Sequence, residues 1–187
     1  MRRDNVDIKK IRETILLSTE KVWGITSLKK GCGKTYISKL LAESLDEIEK
    51  KVLLISFEHE QKSTEYYILN NLDEAMEHFE QGYTENKVLI ADSDKVEGIV
   101  LSEKFKSFLS KCKHYYDYVI IDMKAVEETG FTKVLCKICE ENIVIISKNV
   151  EDGVESGTTI QHLKDCGVSI KGVVLNEYSF KKNILKM

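Results

Sequence analysis

The chain has 187 residues, enough for one well-cored domain and too few for two. Hydrophobic residues make up 42% and charged residues 32%, as in ordinary soluble domains, and a net charge of −3 gives no electrostatic ground for nucleic acid or an anionic membrane as partner. No apolar run approaches the roughly 20 residues that span a bilayer, and the opening MRRDNVDIKK lacks the apolar stretch of a secretion signal, so a cytoplasmic location without a transmembrane segment is expected.

Residues 7–17 carry Ile8, Ile11 and Ile15 on one helical face. This leading amphipathic helix, within residues 1–18, is expected to pack on the sheet edge or to contribute to self-association. Residues 22–26 open a series of short Val- and Ile-rich runs that continues at 52–56, 88–91, 118–122, 143–147 and 172–176. Their lack of polar alternation is how strands buried on both faces read. After the first run, Ile37, Leu40, Leu41, Ser44 and Leu45 fall at helical spacing. Residues 57–86 are polar and weakly patterned, with one predicted helix at 72–79, and a long segment of this kind is a candidate mobile element over a ligand. Phe105, Phe108, Leu109 and Cys112 repeat the helical spacing behind Ser102, a predicted N-cap, and Gly167 is placed to stop the last helix. Strands alternating with helices predict a single α/β domain over 1–187, with a mostly parallel central sheet and helices on both faces.

The five cysteines, Cys32, Cys112, Cys136, Cys139 and Cys166, are scattered and odd in number, which suits a reducing compartment better than a disulfide framework. Cys136 and Cys139 form a lone CxxC in a helical segment. No second ligand pair stands at zinc spacing, so packing is their expected role.

The segment VWGITSLKKGCGKTYISKLLAESL runs from strand through a Gly-containing turn into a helix beginning near Lys34. Phosphate binding needs this order: main-chain N–H groups converge on the anion where Gly31 and Gly33 remove Cβ atoms, and the helix N-terminus adds its positive dipole end. Lys34 is placed to reach the outer phosphates of ATP or ADP, and the Thr35 hydroxyl to ligate Mg²⁺. Lys29, Lys30, Gly31, Cys32, Gly33, Lys34, Thr35 and Tyr36 are the candidate nucleotide contacts. The strict pattern G-x-x-x-x-G-K-[ST] would put glycine at position 28, where Leu28 stands.

An apolar strand ending in Asp122 supplies a carboxylate where the carboxyl ends of parallel strands meet a ligand crevice. Asp117, at the other end of that strand, reads as a turn residue. Asn176 closes the final strand and is either a contact to the adenine edge or a strand-end turn former. Ser56 ends the strand KVLLIS, and Glu58 beyond it is placed for a catalytic carboxylate, or belongs to a solvated acidic loop.

The ordered set resembles the MinD/ParA superfamily of P-loop ATPases, and within it the bacterial tyrosine kinases of capsular and exopolysaccharide export. ITSLKKGCGKT resembles that family's ITS-x-x-PGEGKS loop (the Walker A motif), YDYVIID its Walker B strand, VLSEKFKSFL its LSSERF-x-x-LL helix, and GVVLN its last strand. The leading IKKIRETILLS resembles a helix that promotes oligomerisation there. The resemblance implies catalytic roles for Lys34, Glu58 and Asp122, a metal held by Thr35, Asp122 and Glu58, a membrane-bound activator of the polysaccharide export type, a homo-oligomer, and placement at the inner face of the membrane through that partner. Departures accompany it. Ser56 and Glu58 stand where the family has two aspartates, Met123, Lys124 and Ala125 replace TPP, and only Arg12 remains of E-x-x-R-x-x-R, with Val6 and Lys9 at the other places. Tyr178 alone stands where a tyrosine cluster is phosphorylated in the family. The expected function is thus an ATP-binding, tyrosine-kinase-like protein, either a working kinase or a regulator with weak or no phosphotransfer. The alternative is a MinD/ParA-type dimerising ATPase switch, in which Lys29 occupies the place of the lysine that reaches a partner's phosphates. MinD's C-terminal membrane-binding helix has no counterpart in the short NILKM.

Overall fold

A computed structural model describes residues 7–57, 66–69, 87–91, 98, 100–147 and 153–176. The Val- and Ile-rich runs form strands β1 (Val22–Ser27), β2 (Val52–Ser56), β4 (Lys87–Ala91), β5 (Tyr118–Asp122), β6 (Glu141–Ser147) and β7 (Ile170–Asn176), and a further strand, β3 (Tyr66–Leu69), lies between β2 and β4 in the chain. Between and before them lie helices α1 (Ile8–Leu16), α2 (Lys34–Asp46), α3 (Glu103–Tyr115), α4 (Phe131–Ile138) and α5 (Gly153–Asp165). Among the described residues the sheet is parallel throughout, in the order β3-β4-β2-β5-β1-β6-β7.

Alternate residues of the central strands are apolar toward opposite sides, which demands a helical layer on each face. Trp23 and Ile25 of β1, Val52 and Leu54 of β2, Ile120 of β5 and Ile143 and Ile145 of β6 form one core with Ile37, Leu41 and Leu45 of α2. Their neighbours in sequence, Val22, Leu53, Ile55, Val119, Ile121 and Val144, join the other core with Phe105, Phe108, Leu109 and Cys112 of α3, Leu135 of α4 and Leu163 of α5. The connection leaving β1 therefore crosses one face through α2, while that leaving adjacent β5 crosses the other through α4. Chains diverging from neighbouring strands open a crevice at the strands' carboxyl ends.

Helix α1 joins α2 on its face. Ile11 and Ile15 are buried in the same core, and Arg12 Nη1 donates to Ser44 O at 2.9 Å and Ser44 Oγ at 3.0 Å. Lys10, Ile11 and Thr14 of α1 also line a cleft of about 310 Å³ whose other wall is the edge strand at Val173, Val174 and Leu175. Ser102 caps α3 by accepting the Phe105 N–H at 3.3 Å, and Gly167 follows α5 with φ of 81°.

Strand β3 falls where no strand was anticipated, inside the polar stretch 57–86. It pairs with β4 alone, at the edge of the sheet. The predicted helix at 72–79 lies outside the described residues. Cys32, Cys112, Cys136 and Cys139 are buried and Cys166 is exposed. Cys139 follows α4 at its C-cap rather than lying within it. Burial pushes the Cys112 and Cys136 thiols up to about 12 and the Cys139 thiol well above the ordinary range.

Candidate functional site

Between β1 and α2 the chain turns through residues 28–33. Gly31 and Gly33 have φ of 83° and 87°, left-handed backbone that glycine alone adopts without cost. A Cβ on Gly33 would lie 2.4 Å from Asn176 Nδ2. Leu28 does not share this backbone: Glu49 is the one non-glycine residue with positive φ among those described, and the Leu28 side chain is buried in the α3–α5 core. A glycine is thus not required at position 28, which accounts for the departure from the strict motif. The Cys32 thiol is buried in the α1–α2 core, so this residue offers the site its peptide group. Lys34 opens α2 with 4% of its surface exposed, Thr35 follows, and Tyr36 is half-exposed at 48%. The first turn of α2, with its free amides and the positive end of its dipole, follows directly on Gly33 at the end of the turn.

Asp122 ends β5 beside β1 and is buried. Its Oδ2 accepts the Ser56 hydroxyl at 3.0 Å. Ser38 Oγ lies 3.0 Å from Lys34 O and 3.4 Å from Asp122 Oδ1, one proton shared between two acceptors. The carboxylate is therefore oriented from β2 and α2 at once. Asn176, at the end of β7, directs its amide nitrogen at the loop backbone rather than outward: Nδ2 donates to Cys32 O at 2.9 Å. Asp117 accepts the Lys51 N–H at 3.0 Å, as a turn residue should. Glu58 and Tyr178 lie outside the described residues.

Three glutamates near the loop were not legible in the sequence. Residues 123–128 extend the pairing of β5 with β1 through Met123 N–H to Ile25 O at 3.0 Å, Val126 N–H to Ser27 O at 2.8 Å and Glu127 N–H to Leu28 O at 3.1 Å. That docking brings Glu127 Oε1 to the Lys30 N–H at 3.0 Å and Glu128 Oε1 to Lys30 Nζ at 3.4 Å. Burial alone would raise the Glu128 carboxyl, but the Ala125 N–H bonded to it and the charges of Lys34 and Lys30 outweigh burial and hold it below the ordinary value. From α5, Glu155 Oε2 meets Lys29 Nζ at 2.7 Å.

No protein-family model matches the sequence. The tyrosine-protein kinase Etk of Escherichia coli K12 is 23% identical over 170 residues, covering 81% of this chain. The chain spans 23% of the length of that curated relative. The solved kinase domain of the same Escherichia coli tyrosine kinase superposes with a TM-score of 0.74 at 19% identity, over 96% of this chain and 77% of the other. The MinD cell division protein of Aquifex aeolicus gives a TM-score of 0.65 at 21% identity, over 85% and 70%. The fold is that of these proteins, an α/β P-loop architecture of the MinD/ParA kind, and the chain resembles bacterial tyrosine kinase domains in sequence and in structure.

Proposed function

We propose that the chain binds ATP or ADP with Mg²⁺ in the loop from Gly31 to Thr35 and works as a tyrosine-kinase-like regulator of polysaccharide synthesis or export, with weak or no phosphotransfer. The observation that carries this reading is the buried Asp122 carboxylate, held by Ser38 and Ser56 at the end of the strand beside the loop strand. The residues fit the ligand. Two left-handed glycines keep Cβ atoms away from positions 31 and 33 of the turn, and the hydroxyl of Thr35 and the carboxylate of Asp122 are the hard oxygen donors that magnesium takes. In this reading Lys34 neutralises the outer phosphates, Lys29, Lys30, Cys32 and Tyr36 flank them, and Asn176 fixes the turn through Cys32. Magnesium would screen charge between the phosphates and make the terminal group a better electrophile.

Weak turnover follows from Ser56. A hydroxyl stands where the resembled kinases have an aspartate, and it cannot serve as a general base at neutral pH. Glu58 is the remaining candidate carboxylate beyond β2. The likeness to Etk supports a membrane-bound activator and self-association as further proposals, with the domain held at the inner face of the membrane by that partner.

Calorimetric melting with and without MgATP tests the reading. At a hundredfold above Kd the ligand stabilises by about 2.7 kcal/mol, a shift that Lys34→Ala abolishes. No shift with millimolar ATP or ADP removes it. Incubation with labelled ATP then separates regulator from kinase: phosphotyrosine that is lost in Lys34→Ala marks a kinase.

A second reading, a dimerising ATPase switch, is favoured by Lys29. Its ammonium is ordered at the start of the loop by Glu155. ATP-dependent dimers seen by light scattering and lost in Lys29→Ala support the switch. A species that stays the same size with and without ATP excludes it.

A further inference from the structure

The basic groups of the phosphate loop are faced by carboxylates of the same chain. Lys29 is bonded by Glu155 from α5 at 2.7 Å. Lys30 is held twice by one turn, its N–H by Glu127 at 3.0 Å and its ammonium by Glu128 at 3.4 Å. The turn carrying Glu127 and Glu128 is itself fixed, through Val126 N–H on Ser27 O and Glu127 N–H on Leu28 O. The carboxylates thus stay near the loop even when their side chains rotate. Lys30 is the movable partner, with 75% of its side chain exposed against 21% for Glu128.

We propose that Glu127, Glu128 and Glu155 are internal counter-anions of the phosphate loop, which an incoming polyphosphate must displace, and that they set the affinity and lifetime of the bound ligand. This rests on the nucleotide reading above and deepens it. As ion pairs in the folded chain these contacts add little, because exposed pairs are screened. Their effect is on the ligand. Glu127 occupies a main-chain donor at the rim of the turn, and the fixed negative charges repel the phosphates that Lys29, Lys30 and Lys34 would otherwise attract. A polyphosphate gains the loop's donors only by exchanging them for carboxylates already there, so binding is weaker and release faster than in a loop with uncompensated lysines. A partner with basic side chains that engaged these glutamates would tighten nucleotide binding.

The test titrates the full chain with inorganic tripolyphosphate in EDTA, and separately with MgATP, by isothermal calorimetry. The proteins are wild type, Glu127→Gln/Glu128→Gln, Glu155→Gln and, as a control for net charge, Glu103→Gln on the exposed start of α3. The expected result is tripolyphosphate bound at least about fivefold tighter by the double variant and by Glu155→Gln, with Glu103→Gln at the wild-type value. Melting temperature and far-UV circular dichroism establish that each variant is folded, and the single Glu127→Gln replaces the double variant if that one is not. Unchanged or weaker tripolyphosphate binding in folded variants overturns the proposal, as does the absence of binding in every protein. A weaker affinity for MgATP alone would make the carboxylates metal ligands and would likewise overturn it. Tighter tripolyphosphate binding without any binding of ATP removes the nucleotide reading and leaves this one standing. ATP bound by proteins whose tripolyphosphate affinities are all equal does the reverse.

Discussion

Gly33 is the residue with the least latitude in the loop. Its φ of 87° is unfavourable for any side chain, and a Cβ there meets Asn176 Nδ2 at 2.4 Å, so the amide that holds Cys32 O must move. Gly31, at φ of 83°, has open space around it. Gly33→Ala should therefore destabilise the fold by about 2 kcal/mol and Gly31→Ala by about 1 kcal/mol, read as the difference in urea midpoints. Equal midpoints for the two would mean that Asn176 yields freely. At this scale the loop was legible because Gly31, Gly33, Lys34 and Thr35 are neighbours in sequence and carry their spacing with them. Asp122 was legible because it ends an apolar strand. Glu127, Glu128 and Glu155 were not, since the contacts that matter join positions 97 and 126 apart and no local pattern marks them. The bracing role of Asn176 was hidden for the same reason: strand-end amides look alike until the loop beneath them is placed.

Helix ends and strand starts are tied together by Glu140, just ahead of β6. Its Oε2 accepts the Lys21 N–H at 2.8 Å and the Val22 N–H at 2.9 Å, and its other oxygen pairs with Lys113 near the end of α3. Partial burial would raise the carboxyl, but the Lys113 bond and the two amides outweigh it and leave it below the ordinary value of 4.5. A carboxyl lowered on folding stabilises the fold when ionised. The contribution is complete above the unfolded value and is lost as pH falls through the folded one. Glu140→Gln should lower stability by about 1 kcal/mol at pH 7, and the gap from wild type should close as the pH drops below the usual glutamate range, followed by thermal melting across pH. A gap that persists in acid would assign the loss to shape rather than charge. Elements of this kind were legible where burial dictated the sequence, as in α2, α3 and the central strands. Strand β3 was not. An edge strand pairs on one side only, so Tyr66–Leu69 carries too short an apolar run to stand out from the polar stretch around it.

Across the whole molecule, helices on both faces of the sheet explain why unbroken Val and Ile runs marked β1, β2, β5 and β6, whereas the run in β7, expected to be buried on both faces, leaves Val173 and Leu175 exposed on one side because an edge strand is covered less completely. The sheet also fixes direction. Parallel strands put every βα turn at one end of the sheet, with the phosphate loop, Asp122 and Asn176, and every αβ turn at the other. Cys166 follows α5 at that second end, and it is the exposed thiol among five whose other members are buried. A thiol reagent such as dithionitrobenzoate should release about one equivalent quickly from the native protein and the rest only on unfolding, because burial keeps Cys112, Cys136 and Cys139 protonated and out of reach. Rapid release of several equivalents would mean that the core opens readily. A maleimide linker on Cys166 would moor each molecule to a glass or gold support in one orientation, with the Gly31–Gly33 turn and Asp122 toward the bulk liquid, no added cysteine and no label near them.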